Sequence, residues 1–392
     1  MHVGVVTTSY PRFSGDSAGG FVHGLNLYLR RCGHRVTVIC AGDGVAEPHE
    51  LLDGIEVHRL SSSLFFHGGA PDALSNGLLR EPLSTLLRVG RFSGALLAQC
   101  ARRLADSDVL ISHWLAPCGM LATLCQGKRP HVAIAHSSDI HLLRRVHAQS
   151  LVRWLSAKTR LIYSASHLQI DGAPGEVVPM GIDVAAFSAT DSQRLLARRL
   201  VGGSRKRVLF LGRLVPVKGV SVLLAAMAQL AMEVPVELIV AGDGPERASL
   251  QHESERLGLP VRFVGAVSGT EKQTLLWASD ALVLPSLQLA DGRTEGAPVV
   301  LWEALAAGCP IVWGRDGGVS DVLQDGVNGY SVAPRDVDGV TNALIRLLGD
   351  EAHATEIGAA NRRLSEERFT WDAVAAQALT IFRKAVSKET TA

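Results

Sequence analysis

Several things are scarce in this chain of 392 residues, and each scarcity excludes a class. Aromatic residues make up only 5%, too few for a β-sandwich packed on aromatic corners, while 39 glycines and 47% hydrophobic residues fit an α/β protein with a large core. Net charge is almost absent, with 39 Lys and Arg against 38 Asp and Glu for a formal +1, which excludes an overall polybasic binder of nucleic acid. The six cysteines form no CxxC pair and no His/Cys spacing of a zinc site. They are read as reduced, mostly core thiols, which favours the cytoplasm. No stretch of about 18 uncharged apolar residues exists, so no spanning helix is expected. The start, Met-His-Val-Gly-Val-Val-Thr-Thr, has no basic region ahead of its apolar run and reads as a first strand rather than a signal peptide. There is no solenoid-period repeat and no low-complexity tract. There is also no GxGxxG and no acid at the end of the second strand, which argues against a nicotinamide oxidoreductase.

What is present is organised twice. A β-branched run His2–Thr7, a loop holding Gly19 and Gly20, and a helix from about Phe21 to Arg31 open the first half. Arg207–Leu211, a loop Gly212–Gly219 and a helix Ser221–Leu230 open the second. Strands are expected at 36–40, 55–60, 109–112, 131–135 and 160–163, then at 236–241, 261–264, 281–284 and 310–313, with helices such as Phe92–Leu104 between them. Continuous apolar strands followed by helices imply parallel sheets covered on both faces. The expectation is two successive Rossmann-like, doubly wound α/β domains, 1–183 and 205–368, joined through a polar segment, 183–206. A final helix at about 370–388 has apolar residues near helical spacing (Trp371, Val374, Ala378, Ile381, Phe382). Ligands of such sheets bind beyond the carboxyl ends of the strands.

Four constellations could carry chemistry. In Glu295-Gly-Ala-Pro-Val-Val-Leu-Trp-Glu303, Gly296 and Pro298 are expected to open a helix that runs through Glu303 to Ala307, its free N–H groups offered to an oxygen-rich ligand. The two carboxylates would then lie on neighbouring faces. Glu303, surrounded by Leu301, Trp302, Ala304 and Leu305, should have a partner, because an apolar wall does not hold a bare carboxylate. In Phe210-Leu-Gly-Arg-Leu-Val-Pro-Val-Lys-Gly219, Arg213 and Lys218 project from a glycine-bounded loop between strand and helix and suit a diphosphate. The loop 14–21, with Gly19 and Gly20, lets backbone approach a phosphate or acceptor. His136-Ser-Ser-Asp139 follows a strand, with His113 ending the preceding one; a His at that place can donate to a sugar or stabilise charge. A zinc site from His136, Asp139 and His141 is poorly spaced. Gly242-Asp-Gly-Pro245 reads as a turn, and the DxD at Asp336-Val-Asp338 as a helix cap.

These residues, in this order and spacing, resemble family four of the retaining glycosyltransferases, enzymes of the GT-B fold with an E-x7-E motif. The matching pieces are Gly212-Arg213, Lys218-Gly219, 242–245, Leu284-Pro-Ser286, Glu295-Gly-Ala-Pro with 303–310, Gly317-Gly318, 325–329 and Val178-Pro-Met-Gly-Ile-Asp183, covering nearly the whole chain. The resemblance implies two Rossmann-like domains facing across a cleft, the first taking the acceptor, the second the nucleotide-sugar donor, with the last helix packing back on the first. It implies that Arg213 and Lys218 bind the donor's diphosphate, Glu303 the ribose hydroxyls, and Glu295 with the amides of Gly296, Ala297 and Val299 the transferred sugar. His136 would touch the sugar near the reacting carbon, Gly19 and Gly20 would border the diphosphate, and His113, His136 and Asp139 are the acceptor-side candidates. Glu295, His136, Arg213 and Lys218 are the catalytic set.

The expected activity is a retaining transfer from a UDP- or GDP-sugar to a hydroxyl of a glycan, lipid or small molecule, in cell-surface polysaccharide or glycoconjugate synthesis. It needs no metal and no cofactor beyond the donor, since the cations substitute for a metal. The segment 290–294 resembles a subset that builds exopolysaccharide or lipopolysaccharide. Residues 1–180 carry 17 Lys and Arg against 13 Asp and Glu. Their arginine pairs (30 and 31, 102 and 103, 144 and 145) could face anionic lipid at the inner membrane face or a phosphate-bearing acceptor. The alternatives are a sugar-nucleotide epimerase of similar architecture and a non-catalytic sugar-nucleotide binding module.

Overall fold

A computed structural model describes residues 1–14, 16, 18–61, 80–290, 292, 294–316, 318, 319 and 321–389. The chain divides into two compact units, one made of Met1–Gly181 with Trp371–Ala392, the other of Ile182–Thr370.

The first unit's strands are β1 His2–Thr7, β2 Arg35–Ala41, β3 His49–Leu52, β4 Ile55–Leu60, β5 Val109–His113, β6 His131–Ala135, β7 Arg160–Tyr163 and β8 Gly175–Val177. They form one sheet in the order β3-β4-β2-β1-β5-β6-β7-β8. Every neighbouring pair is parallel except β3 with β4, which pair antiparallel around Asp53-Gly54. The central strands β1, β5 and β6 are buried along their whole length, as expected of a sheet with helices on both faces. The strand order reverses between β1 and β5, whose crossovers leave in opposite directions, so their carboxyl ends frame a crevice.

The second unit repeats the plan with β9 Lys206–Leu211, β10 Val236–Ala241, β11 Val261–Gly265, β12 Ala281–Leu284, β13 Ile311–Gly314 and β14 Gly329–Val332. Its sheet is wholly parallel in the order β11-β10-β9-β12-β13-β14, with the reversal between β9 and β12. The core gathers Phe210, Leu223, Leu282, Trp302, Trp313 and Phe369 among others. Trp302 stacks on Phe369 at 4.0 Å between ring centroids.

The last helix, Trp371–Glu389, belongs to the first unit. Its Trp371 ring lies against Gly24 and Gly181, where a Cβ on either glycine would run into the indole. Val374, Ala375, Ala378 and Phe382 carry the buried face. The edge strands β3 and β8 and the short β14 have no reading in the sequence analysis, since each is brief and partly polar. Residues 62–79 lie outside the described residues, as do Asp291 and Arg293 of the segment 290–294 and Gly317 of the glycine pair.

Candidate functional site

In the second unit, β9 ends at Leu211 and the chain turns through Gly212–Lys218 into the helix Val220–Leu230. Gly219 caps that helix with φ +66°, and any side chain there would strike the Pro285 carbonyl beyond β12. Only glycine meets both demands. Leu287 N donates to Val217 O at 2.9 Å, which fixes the loop to the end of β12. Gly242 and Gly244 are more than the turn expected of them. A Cβ at Gly242 would run into the Gly212 carbonyl oxygen and one at Gly244 into that of Leu214, while Leu214 N donates to Asp243 O at 2.9 Å. The 242–244 segment is thus a backbone brace beneath Arg213.

On that platform sits a compact polar cluster. Lys218 Nζ donates to Glu295 Oε1 in a short ion pair, and Ser286 Oγ donates to Glu295 Oε2 at 2.6 Å. Lys218 and Glu295 are both largely buried, so removing either one would strand the other's charge. The Arg213 side chain is exposed and makes no hydrogen bond or ion pair among the described residues. Ser286 had no assigned role in the sequence, although its place just past β12 at the strand-order reversal is the signal that could have found it.

The helix after Glu295 differs from expectation. It spans Val299–Ala306, with Pro298 as its extended cap, so Glu295, Gly296 and Ala297 precede it and the helical projection relating Glu295 to Glu303 does not apply. Pro298 is itself extended and disfavours helical backbone at Ala297 before it, which keeps the chain extended ahead of the first turn. Glu303 is buried, and Lys272 Nζ bonds its Oε1 at 2.5 Å while lying 5.2 Å from the centroid of the Phe187 ring. The expectation that Glu303 has a partner holds; Lys272 itself carries no sequence signal.

In the first unit, the carboxyl ends of β1, β5 and β6 carry an uncharged group. His113 Nδ1 and His136 Nε2 share a hydrogen bond at 3.2 Å, their rings stacked at 5.4 Å. Trp114 and Phe21 lie at 4.9 and 5.0 Å from His136. Burial pushes His136 down to about 3 and His113 well below the ordinary imidazole value, so both are neutral. His113 Nε2 is buried with no hydrogen-bond partner. Trp114 sits at φ +66°, a strained setting for a bulky residue; its N–H bonds Ile134 O at 3.0 Å and its indole N–H bonds Ser138 Oγ at 3.1 Å.

Asp139, an acceptor-side candidate, is engaged within the chain at both oxygens. Its Oδ1 accepts from His136 N at 3.0 Å and its Oδ2 from Leu115 N at 2.5 Å, and it is 3% exposed. Oδ1 caps the start of the helix Ser137–Arg145 and Oδ2 ties in Leu115 just past β5, so both carboxylate oxygens already have backbone partners. Burial raises its carboxyl to about 7. His113, another acceptor-side candidate, is fully buried. Gly19 is required by the chain itself, at φ +65° against Ser9 O, whereas the Cβ position of Gly20 is open space. Gly20 begins the helix Gly20–Arg31, so it is the residue of the pair that leaves room for a ligand.

The arginine pairs have a local explanation. All three stand in the last turn of a helix, Gly20–Arg31, Pro82–Arg103 and Ser137–Arg145, where cations complement the carbonyl end of the dipole. Asp336 caps the helix Val337–Gly349 through Gly339 N at 2.8 Å, as its sequence suggests. Among the described residues no helix is long and apolar enough to cross a membrane.

Residues 192–364 match the family model described as "Glycosyl transferases group 1". The chain is 31% identical over 295 residues to the GDP-mannose-dependent alpha-(1-6)-phosphatidylinositol monomannoside mannosyltransferase of Mycolicibacterium smegmatis, covering 70% of this chain and 77% of that one. It is 30% identical over 400 residues to the phosphatidyl-myo-inositol mannosyltransferase of the same organism, covering 97% and 93%. Its structure is similar to that of sucrose-phosphate synthase from Thermosynechococcus elongatus, with a TM-score of 0.79, 19% identity and coverage of 99% and 100%. Both relatives are named as transferases, which leaves the epimerase alternative without support. The two parallel-sheet units are those of a GT-B fold, and the chain belongs to the group 1 glycosyltransferases.

Proposed function

We propose that this glycosyltransferase moves a sugar, with retention, from a UDP- or GDP-sugar to a hydroxyl of a glycan, lipid or small-molecule acceptor in cell-surface glycoconjugate or polysaccharide synthesis. The observation that carries the reading is the Lys218–Glu295–Ser286 cluster beside Arg213 at the strand-order reversal of the second sheet. One relative is named as GDP-mannose-dependent and the other as a mannosyltransferase, which makes GDP-mannose the first donor to try.

Departure of a nucleoside diphosphate builds negative charge on phosphate and positive charge on the sugar. Arg213, unpaired, and Lys218, at present neutralised by Glu295, receive the diphosphate, and their worth is greatest as its charge grows. Glu295, held at both oxygens, binds sugar hydroxyls together with the amides from Gly296 through Ala297 to Val299. It is not free to act as the nucleophile of a double displacement, so the leaving phosphate takes the acceptor's proton on the same face. Glu303 serves the ribose. In the first unit, neutral His136 offers a hydrogen bond rather than a proton, and Gly20 admits phosphate or acceptor. The chemical step uses these cations in place of a metal.

Incubation with GDP-mannose or another α-linked donor, and an alcohol acceptor, tests this. Nucleoside diphosphate release should rise with acceptor, and the product's anomeric proton should keep the donor's configuration by NMR. Inversion would overturn the retaining step; conversion of donor without acceptor would overturn the transfer.

A further inference from the structure

A second polar cluster lies elsewhere in the first unit, on the antiparallel edge of its sheet. His49 on β3 stands opposite His58 on β4, and Glu56 lies two residues before His58 on the same face of β4. The two imidazoles stack at 4.5 Å and 12°, and both turn Nε2 toward one oxygen: Glu56 Oε1 is 2.9 Å from His58 Nε2 and 3.7 Å from His49 Nε2. The three ligand atoms all fall within 4.8 Å of one another. A tetrahedral zinc with bonds of about 2.0–2.1 Å to nitrogen and oxygen needs its ligand atoms roughly 3.3 Å apart, so the exposed His49 ring has to leave the stack and turn its Nε2 toward the ion on binding.

The surroundings are those of a supported site. Glu56 Oε2 accepts from Thr37 Oγ1 at 3.3 Å, and Thr37 Oγ1 in turn meets buried His2 Nε2 at 3.0 Å. Such outer contacts fix a coordinating carboxylate. The His58 side chain is 6% exposed, Glu56 30% and His49 62%, so the cluster has a rigid inner wall and one open side for water or a fourth ligand. Two imidazoles and a carboxylate match a borderline divalent ion such as zinc better than calcium or magnesium, which favour all-oxygen sets. Glu56 is near the amino end of β4, whereas the residues assigned to sugar transfer follow the carboxyl ends of strands, so the site is not catalytic.

We propose that His49, Glu56 and His58 form a zinc site that clips the edge strand β3 to β4. Zn²⁺ is titrated calorimetrically into the full chain without an affinity tag. One equivalent should bind and raise the melting temperature. His49→Ala removes an exposed ligand and Glu56→Gln keeps the side chain's shape; each should weaken binding about tenfold or more while the metal-free melting temperature stays near that of the parent. His252→Ala, on an exposed helix of the other unit, should bind as the parent does. The bound Co²⁺ form should show visible tetrahedral bands that both ligand variants lose. Absence of a saturable one-equivalent event, or binding unchanged in His49→Ala and Glu56→Gln, overturns the site. None of these readouts uses a sugar donor.

Discussion

The two sheets reverse strand order in the same way, yet they place opposite chemistries at that point. Beyond β9 and β12 stand charges: Lys218, Glu295 and exposed Arg213. Beyond β1, β5 and β6 stand rings without charge: His113, His136, Trp114 and Phe21. One scaffold thus presents a charged cluster in one unit and an uncharged, ring-lined wall in the other, which the proposed function assigns to the diphosphate and to the sugar. Glycine is used differently too. Gly242 and Gly244 admit the chain's own backbone as a brace, whereas Gly20 leaves open space.

The contrast breaks most sharply at Lys218. Lys218→Ala removes a diphosphate cation and leaves Glu295 buried without it, so kcat/KM should fall by about 10²–10³ in a donor-dependent transfer assay. His136→Gln should be far milder. A loss as large as that of Lys218→Ala would mean His136 handles charge and the two regions are not distinct.

Gly242→Ala tests the brace. Its Cβ has no room beside the Gly212 carbonyl, and the strain should cost about 3 kcal/mol or more in urea unfolding. Gly20→Ala, with open space around it, should cost only tenths of a kcal/mol in stability while impairing activity.

Acid should expose the uncharged character of the first region. His136 and His131, both pushed down to about 3 by burial, bind no proton in the folded state at pH 5, whereas the unfolded chain does below about 6.5. Stability is therefore lost as pH falls from about 6.5 toward 3, by roughly 2 kcal/mol per histidine at pH 5. Asp139, raised to about 7, works the other way between about 3.8 and 7, since the folded state there holds the extra proton. With two histidines at about 3 and His113 also lowered, the sum is destabilising, and the melting temperature should drop between pH 7 and 5. A rise would contradict neutral histidines.

His136→Gln should lower kcat about fivefold, the worth of one neutral hydrogen bond near 1 kcal/mol, with nucleotide affinity unchanged in a binding titration. The smallest effect is that of EDTA. It should strip zinc from the edge of the first sheet and leave the transfer rate intact; a loss restored only by a divalent ion would sink the metal-free step.

Much of this was legible in the residues. Continuous apolar runs such as Val236–Ala241 and Ala281–Leu284 mark buried parallel strands, and the glycine-bounded run carrying Arg213 and Lys218 marks the loop between strand and helix. Long-range partnership was not legible. Nothing local ties Ser286 and Lys218 to Glu295 or Lys272 to Glu303, because these pairs are made by crossovers that bring separate strand ends together. The start of the helix at Val299 was misjudged because Gly296 and Pro298 resemble a helix opening, while Pro298 in fact serves as its extended cap. Edge strands such as β3 lack the apolar run that betrays a buried one, so the pairing of His49 with His58 emerges only in the fold.

The most direct test of the central claim, that the charged region of the second unit binds a nucleotide sugar, is thermal stabilisation by UDP, GDP, ADP, NAD and their sugars, with Arg213→Ala and Glu303→Ala alongside. A ligand at a hundred times its dissociation constant contributes about 2.7 kcal/mol. The account predicts an upward shift with UDP or GDP and their sugars that both variants lose. A shift with NAD alone, or none with any nucleotide, would contradict it.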